Sequence, residues 1–299
     1  MAAGPRRSLP TRTVTLTAGT VEFRSEPGTR PPVVVLPGGH MHAGLALGEE
    51  SLRASGSALL VVSRPGYGRT RVGPLGARDF AAVVAELCDR LGHTTVEAVV
   101  GISAGGRTAV ELAARHPSLV RRLVLQSAAP AVGPWPDSRL QRRAAPVLFG
   151  PRAGTWTWAA TRLLLTRAPE LGLRAVIGPL TTGSARSCLR QLTTPERTAV
   201  LRLFCEMSSG TGFANDLQDF ARLDPVEARR TLTAVACPTL VMASRADGSV
   251  AWTHAQAFAT TIPGARLYES SAPWHLIWFG ADRAGVEAEV RAFLATPGG

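Results

Sequence analysis

A chain of 299 residues, 45% hydrophobic and 18% charged, is long and apolar enough to bury one sizeable α/β core with an insertion, which excludes a disordered chain. The formal net charge of +11 invites a nucleic-acid reading, yet all 33 basic residues are arginines, scattered singly or in pairs such as Arg6–Arg7, Arg121–Arg122, Arg142–Arg143 and Arg229–Arg230. Without a basic run or interleaved aromatics, no nucleic-acid partner is expected.

The N-terminus carries the Arg6–Arg7 pair but no apolar stretch behind it, so no signal peptide is expected. No run reaches the length of a membrane span. These features predict a soluble cytoplasmic protein without a membrane partner. Cys88, Cys188, Cys205 and Cys237 lie far apart, with neither CxxC nor histidine-paired spacing, and read as thiols of a reducing compartment rather than disulfides or metal ligands.

Thr11–Thr17 and Thr20–Arg24 flank Ala18-Gly19 as a hairpin. Pro32–Leu36 is a short apolar run ending at Pro37-Gly38-Gly39, as a buried parallel strand does. Leu59–Ser63 repeats the pattern and stops at Arg64-Pro65-Gly66-Tyr67-Gly68. Asp79 is positioned to cap a helix to Leu91 with Phe80, Val83, Val84 and Leu87 on one face. Val96–Val100 is a further strand, followed by a glycine-rich turn and a helix over 107–115. Leu123–Gln126, Thr239–Ala243 and Ala265–Glu269 complete the strands, and Ala284–Leu294 is a closing helix. This alternation predicts a mostly parallel sheet with helices on both faces. From about Ala129 to Thr233 helical periodicity runs without a strand. The expected division is therefore a core of residues 1–128 and 234–299 and a helical lid of residues 129–233, over the sheet edge where open α/β folds bind ligands.

Gly101-Ile102-Ser103-Ala104-Gly105 has G-x-S-x-G spacing between a buried strand and a helix. A strand-to-helix turn that tight strains its central residue and needs neighbours without bulk, which Gly101 and Gly105 provide. The segment lacks the middle glycine of a dinucleotide loop, because Ser103 stands there.

These residues resemble the α/β-hydrolase fold family over about 11–132 and 232–294. Val33–Gly39 is similar to the family's strand and turn that end in a His-Gly pair, with Pro37 where histidine is frequent. Ser63–Thr70 is similar to its D-x-x-G-x-G-x-S turn, with Ser63 and Thr70 in place of Asp and Ser. The resemblance implies Ser103 as nucleophile and the backbone N–H groups of Ala104 and Gly39 as oxyanion hole, with His40 as the alternative register. His40 and His42 lack a clustered third ligand, so a pocket-lining or surface role is expected rather than a metal site.

A general base must reach the serine. His93 and His116 stand at helix ends and His254 in a helix over 252–260, whereas His275 follows the last strand, where this fold carries its base. The orienting carboxylate falls between them in chain order, which selects Asp247 in a strand-to-helix loop; its competing reading is a helix cap. Asp216, Asp219 and Asp224 precede the required strand. Acyl transfer from a carboxylic ester or thioester of a small apolar molecule to water is expected, without metal or organic cofactor. Trp135, Trp156, Trp158, Leu163, Leu164, Leu165 and Phe213 are candidates for an apolar pocket, and Gly210–Phe213 for a flexible entrance. Acyltransferase, lactone-forming thioesterase, perhydrolase, C–C hydrolase and aminopeptidase chemistry use the same triad. A catalytically silent binding protein is the reading from another class. Epoxide hydrolase or dehalogenase relatives place Asp where Ser103 stands.

Overall fold

Apolar runs too short for helices can hide their backbone only by pairing, and both faces of the resulting sheet then need cover. A computed structural model, described for residues 8–133, 135–136, 138–150 and 153–296, shows this solution as one eight-stranded sheet. The Arg6–Arg7 pair lies outside the described residues.

In chain order the elements are β1 (Arg12–Leu16), β2 (Gly19–Glu26), β3 (Arg30–Leu36), α1 (Glu50–Ala54), β4 (Ser57–Val62), α2 (Ala77–Arg90), β5 (Ala98–Ile102), α3 (Gly106–Arg115) and β6 (Leu123–Gln126). Then come α4 (Arg139–Phe149), α5 (Ala153–Arg167), α6 (Pro169–Ile177), α7 (Ala185–Arg190), α8 (Thr194–Glu206), α9 (Gly212–Ala221) and α10 (Pro225–Thr233). The chain closes with β7 (Thr239–Ser244), α11 (Trp252–Thr261), β8 (Arg266–Ser270) and α12 (Arg283–Ala295). The strand order is β1-β2-β4-β3-β5-β6-β7-β8. β1 and β2 form the expected antiparallel hairpin, β2 also opposes β4, and the remaining pairs are parallel. No described helix is long and apolar enough to cross a membrane.

The central strands alternate between two cores. Val33, Val35, Val100, Val124 and Met242 join α12 on one side, whereas Val34, Leu36, Val99, Leu125 and Val241 join α2, α3 and α11 on the other. With both faces buried, these strands read as continuous apolar runs. All parallel strands deliver their C-terminal ends to one edge. α1 is absent from the sequence reading because five residues are too few for a helical period to show.

One local expectation changes. Asp79 does not cap α2; Gly76 takes the N-cap position, and Asp219 of α9 accepts the Ala77 N–H at 3.1 Å instead. A carboxylate from another element satisfies the open N–H groups as well as a local one does.

The turn after β4 is held by a residue distant in sequence. Ser63 stands where the resembling family has Asp, and Glu22 of β2 supplies the missing carboxylate. It accepts from Ser63 Oγ (2.8 Å), Thr11 Oγ1 (2.7 Å), the Arg69 N–H (3.0 Å) and Arg69 Nε (3.0 Å). Thr70 Oγ1 donates to the Ser63 carbonyl and accepts from the Glu22 N–H. Burial alone would raise the Glu22 pKa, but the hydrogen bonds from Thr11, Ser63 and Arg69 hold it below its ordinary 4.5. A depressed carboxylate stabilises the fold above its unfolded pKa and loses that contribution as pH falls through the folded value. Glu22→Gln is expected to cost about 1–3 kcal/mol at neutral pH. Urea melts at pH 7 and pH 3.5 check this: the wild-type advantage should shrink at the lower pH, and an undiminished gap contradicts it.

Candidate active site

Ser103 follows the last residue of β5 and opens the turn into α3. Its backbone is left-handed, at φ +49°, a conformation that costs a non-glycine residue of order 1–3 kcal/mol and persists only where surroundings enforce it. The enforcement is steric. A Cβ on Gly105 would stand 2.1 Å from the Leu36 carbonyl oxygen, and one on Gly101 would stand 2.7 Å from Ala109 Cβ. The glycine spacing thus serves close approach between strand, turn and helix. Ala104 sits at the helix start, where N–H groups have no intrahelical acceptor.

His275 follows β8 and Asp247 follows β7. The Asp247 Oδ2 accepts from His275 Nδ1 at 2.6 Å, and Oδ1 accepts from the Ser249 and Val250 N–H groups at 2.7 and 2.8 Å. Since the carboxylate offers only acceptors, the network assigns the imidazole proton to Nδ1 and leaves Nε2 as an acceptor. All three side chains are buried, and Ser103 and His275 line the same cavity. Among the described residues no hydrogen bond joins Ser103 Oγ to the ring. Asp247 also holds the turn before α11, whose own N-cap is Ala251.

Two further contacts place the histidine, and no sequence signal marked them. The His275 N–H donates to the Leu180 carbonyl (2.8 Å), which also accepts from Gly248 N–H (3.2 Å) beside Asp247. Thr181 Oγ1 donates to the Pro273 carbonyl at 2.6 Å. A short piece of the helical insertion therefore ties the Asp247 and His275 loops together. Ser127, left-handed at φ +48° after β6, donates from Oγ to the His275 carbonyl at 2.9 Å. Backbone acceptors have no residue-type signature, so only tertiary structure reveals them.

The turn after β3 lies against the serine: a Cβ on Gly38 would stand 3.1 Å from Ser103 Cβ. Gly39 faces Phe213. Both glycines line a cavity of about 670 Å³ with Met41, Trp135, Phe149, Trp158, Leu164 and Trp278. Trp135, Trp158, Leu164 and Phe213 occupy the wall as the sequence suggested. Trp156 and Leu163 do not; they are 78% and 56% exposed, and Leu165 is buried without lining the cavity. On α5, Trp156 and Leu163 stand seven residues apart on one outward face, whereas Leu165 packs against Gly172 of α6.

Gly210–Phe213 is a packed joint rather than a loose entrance. The Thr211 N–H donates to the Gly66 carbonyl, Gly212 lies against the Tyr67 ring, and Phe213 is buried. Asp216 anchors the same joint. It pairs with Arg64 through Nη1 and through Nη2 at 2.9 Å, and accepts from Tyr67 Oη at 2.6 Å; Arg64 Nε donates to the Pro37 carbonyl at 2.8 Å. Burial opposes the Arg64 charge, but Asp216 and Tyr67 more than offset it and raise its pKa, while burial beside Asp216 raises that of Tyr67. Arg64→Met leaves the buried Asp216 carboxylate with Tyr67 but without its cation and is expected to cost about 3 kcal/mol or more. Denaturant midpoints measure it, and a loss below 1 kcal/mol contradicts the assignment.

The remaining candidates lie elsewhere. Asp224 caps α10 through the Val226 N–H, His116 is the C-cap of α3, and His93 is part-exposed beyond α2. His254 is buried, with Nδ1 accepting from the Ala131 N–H. His42 Nδ1 accepts from the Gly44 N–H, and His40 pairs with Ser209. Among the described residues no three His, Cys, Asp or Glu side chains cluster as for a metal ion. Cys88 and Cys188 are buried, and burial pushes the Cys88 thiol up to about 12.

The family model of the α/β hydrolase fold matches residues 31–280. The chain is 30% identical over 288 residues to an uncharacterized hydrolase of Bacillus subtilis, YcgS, covering 94% of this chain and 97% of that protein. Among solved structures, an α/β hydrolase fold protein from Nakamurella multipartita superposes with TM-score 0.78 at 28% identity, covering 95% and 99% of the two chains. The enol-lactonase of Burkholderia xenovorans shares the fold, with TM-score 0.68 at 21% identity over 95% and 99%. Taken with the sheet order and the strained serine turn, these matches show that the chain belongs to the α/β-hydrolase fold family.

Proposed function

We propose that the protein is a serine hydrolase that cleaves a carboxylic ester or thioester of an apolar acyl compound. The observation that carries the reading is a serine held at φ +49° at a helix start, sharing one cavity with an imidazole already oriented by a buried carboxylate. In this reading Ser103 Oγ attacks the acyl carbon as its proton passes to His275 Nε2, and the Ala104 and Gly39 N–H groups receive the charge on the carbonyl oxygen. The proton then leaves with the departing alcohol or thiol. Water enters by the same route, gives a proton to His275, and releases the acid while Ser103 regains its hydrogen. Contacts of this kind are often loose before substrate binds and tighten in the reacting complex. The helical insertion is proposed as the lid. Its Trp135, Phe149, Trp158 and Phe213 line the same cavity as Ser103 and favour hydrocarbon over charge.

Fluorophosphonate labelling tests the reading. A stoichiometric adduct on Ser103, together with turnover of p-nitrophenyl esters or acyl thioesters, is expected. A folded wild-type protein that takes up no label and cleaves neither class contradicts it and favours a binding protein. Added alcohol acceptors report whether water is the true acyl acceptor.

A further inference from the structure

The wall that carries Gly39 runs directly into His40, which takes no part in the steps above. Its ring is enclosed by Phe213, Phe149 and Trp158, at centroid distances of 4.2, 4.6 and 5.2 Å. Its backbone is left-handed at φ +63°, so packing and main chain together fix the ring. Burial, with a smaller push from Arg64, lowers its pKa to about 3, and the ring is neutral near pH 7.

A neutral imidazole has one donor and one acceptor, and the neighbouring network decides which is which. The Trp158 indole only donates, and it donates to Ser209 Oγ at 2.8 Å. Ser209 is buried, and among the described residues His40 Nδ1, at 2.8 Å, is the acceptor for its hydroxyl hydrogen. Nδ1 is then the acceptor, and the ring proton sits on Nε2. Among the described residues Nε2 has no hydrogen-bond partner, and His40, which is half-buried, lines the cavity. Beside the aromatic rings of Phe213, Phe149 and Trp158, a neutral donor penalises a ligand that leaves it unpaired and favours one that accepts from it.

We infer that His40 Nε2–H is a specificity-determining donor that selects substrates with a second oxygen acceptor, such as a ketone, on the apolar acyl part. The inference rests on reading this cavity as the acyl site, and its test is one of binding rather than turnover. Calorimetry on Ser103→Ala compares methyl octanoate with methyl octanoates bearing a keto group at C4, C5, C6 or C7. At least one keto ester is expected to bind about tenfold more tightly than the parent. That preference should vanish in the additional variant His40→Asn, since asparagine tolerates a left-handed backbone. It should weaken in Ser209→Ala, which keeps the ring but releases its tautomer. If no member of the set binds, if none outbinds the parent, or if the preference survives His40→Asn, the inference is overturned. An equal loss for plain and keto esters marks a merely structural histidine and also overturns it. Wild-type protein that binds keto esters selectively but hydrolyses none refutes the hydrolase reading alone.

Discussion

Ser103→Ala is expected to lower ester turnover by roughly 10⁴–10⁶-fold, because the variant retains the cavity and the proposed oxyanion donors but has no atom to form the acyl-enzyme. Stability separates this from misfolding. Alanine inherits the strain at φ +49°, so Ser103→Ala should melt close to wild type. Glycine adopts that backbone freely, and Ser103→Gly should be more stable than Ser103→Ala by about 1 kcal/mol after the greater freedom of its unfolded chain is subtracted. Paired urea melts and a p-nitrophenyl ester assay check both halves. Residual turnover above one hundredth of wild type removes Ser103 as nucleophile. A glycine variant no more stable than the alanine one shows that the turn stores no strain.

Asp247→Asn is expected to reduce kcat by roughly 10³–10⁴-fold with KM changed only a few-fold. Oδ1 must stay an acceptor, because the Ser249 and Val250 N–H groups both point at it. The new amide nitrogen therefore faces His275 Nδ1, which must now accept, and the ring proton moves to Nε2, where it blocks uptake of the serine proton. The same substitution keeps the turn before α11, so the melting midpoint should remain within about 1 kcal/mol of wild type. Asp247→Ala loses turn and orientation together and should fall in both. If Asp247→Asn melts early but turns over normally, the residue is only a structural turn, and another carboxylate must orient the base.

The strands, the helices on both sheet faces and the serine turn were legible in the chain because each rests on local pattern. Continuous apolar runs ending at glycine or proline mark buried parallel strands, and the spacing of Gly101, Ser103 and Gly105 marks a turn that admits no bulk. The order of Ser103, Asp247 and His275 was readable too, and the structure forms the Asp247–His275 bond. What was not legible depends on residues distant in sequence. Glu22 brings a carboxylate to the Ser63 turn, Asp219 caps α2 in place of Asp79, and Asp216 holds Arg64 across the insertion. A hydrogen-bonding requirement specifies a donor or acceptor at a place, not the segment that brings it.

Pattern alone thus determined the layered α/β architecture and the three chemical groups that the proposed reaction needs, since periodicity and tight turns are properties of neighbouring residues. Tertiary structure alone decided that Leu180 and Ser127 grip the His275 backbone and that Trp156 and Leu163 face outward. It also decided that His40 stands in the cavity wall beside Gly39 with its Nδ1 taken by Ser209. The physical reason is that backbone acceptors carry no residue identity, and that the side of a helix turned toward a cavity depends on the partner it packs against.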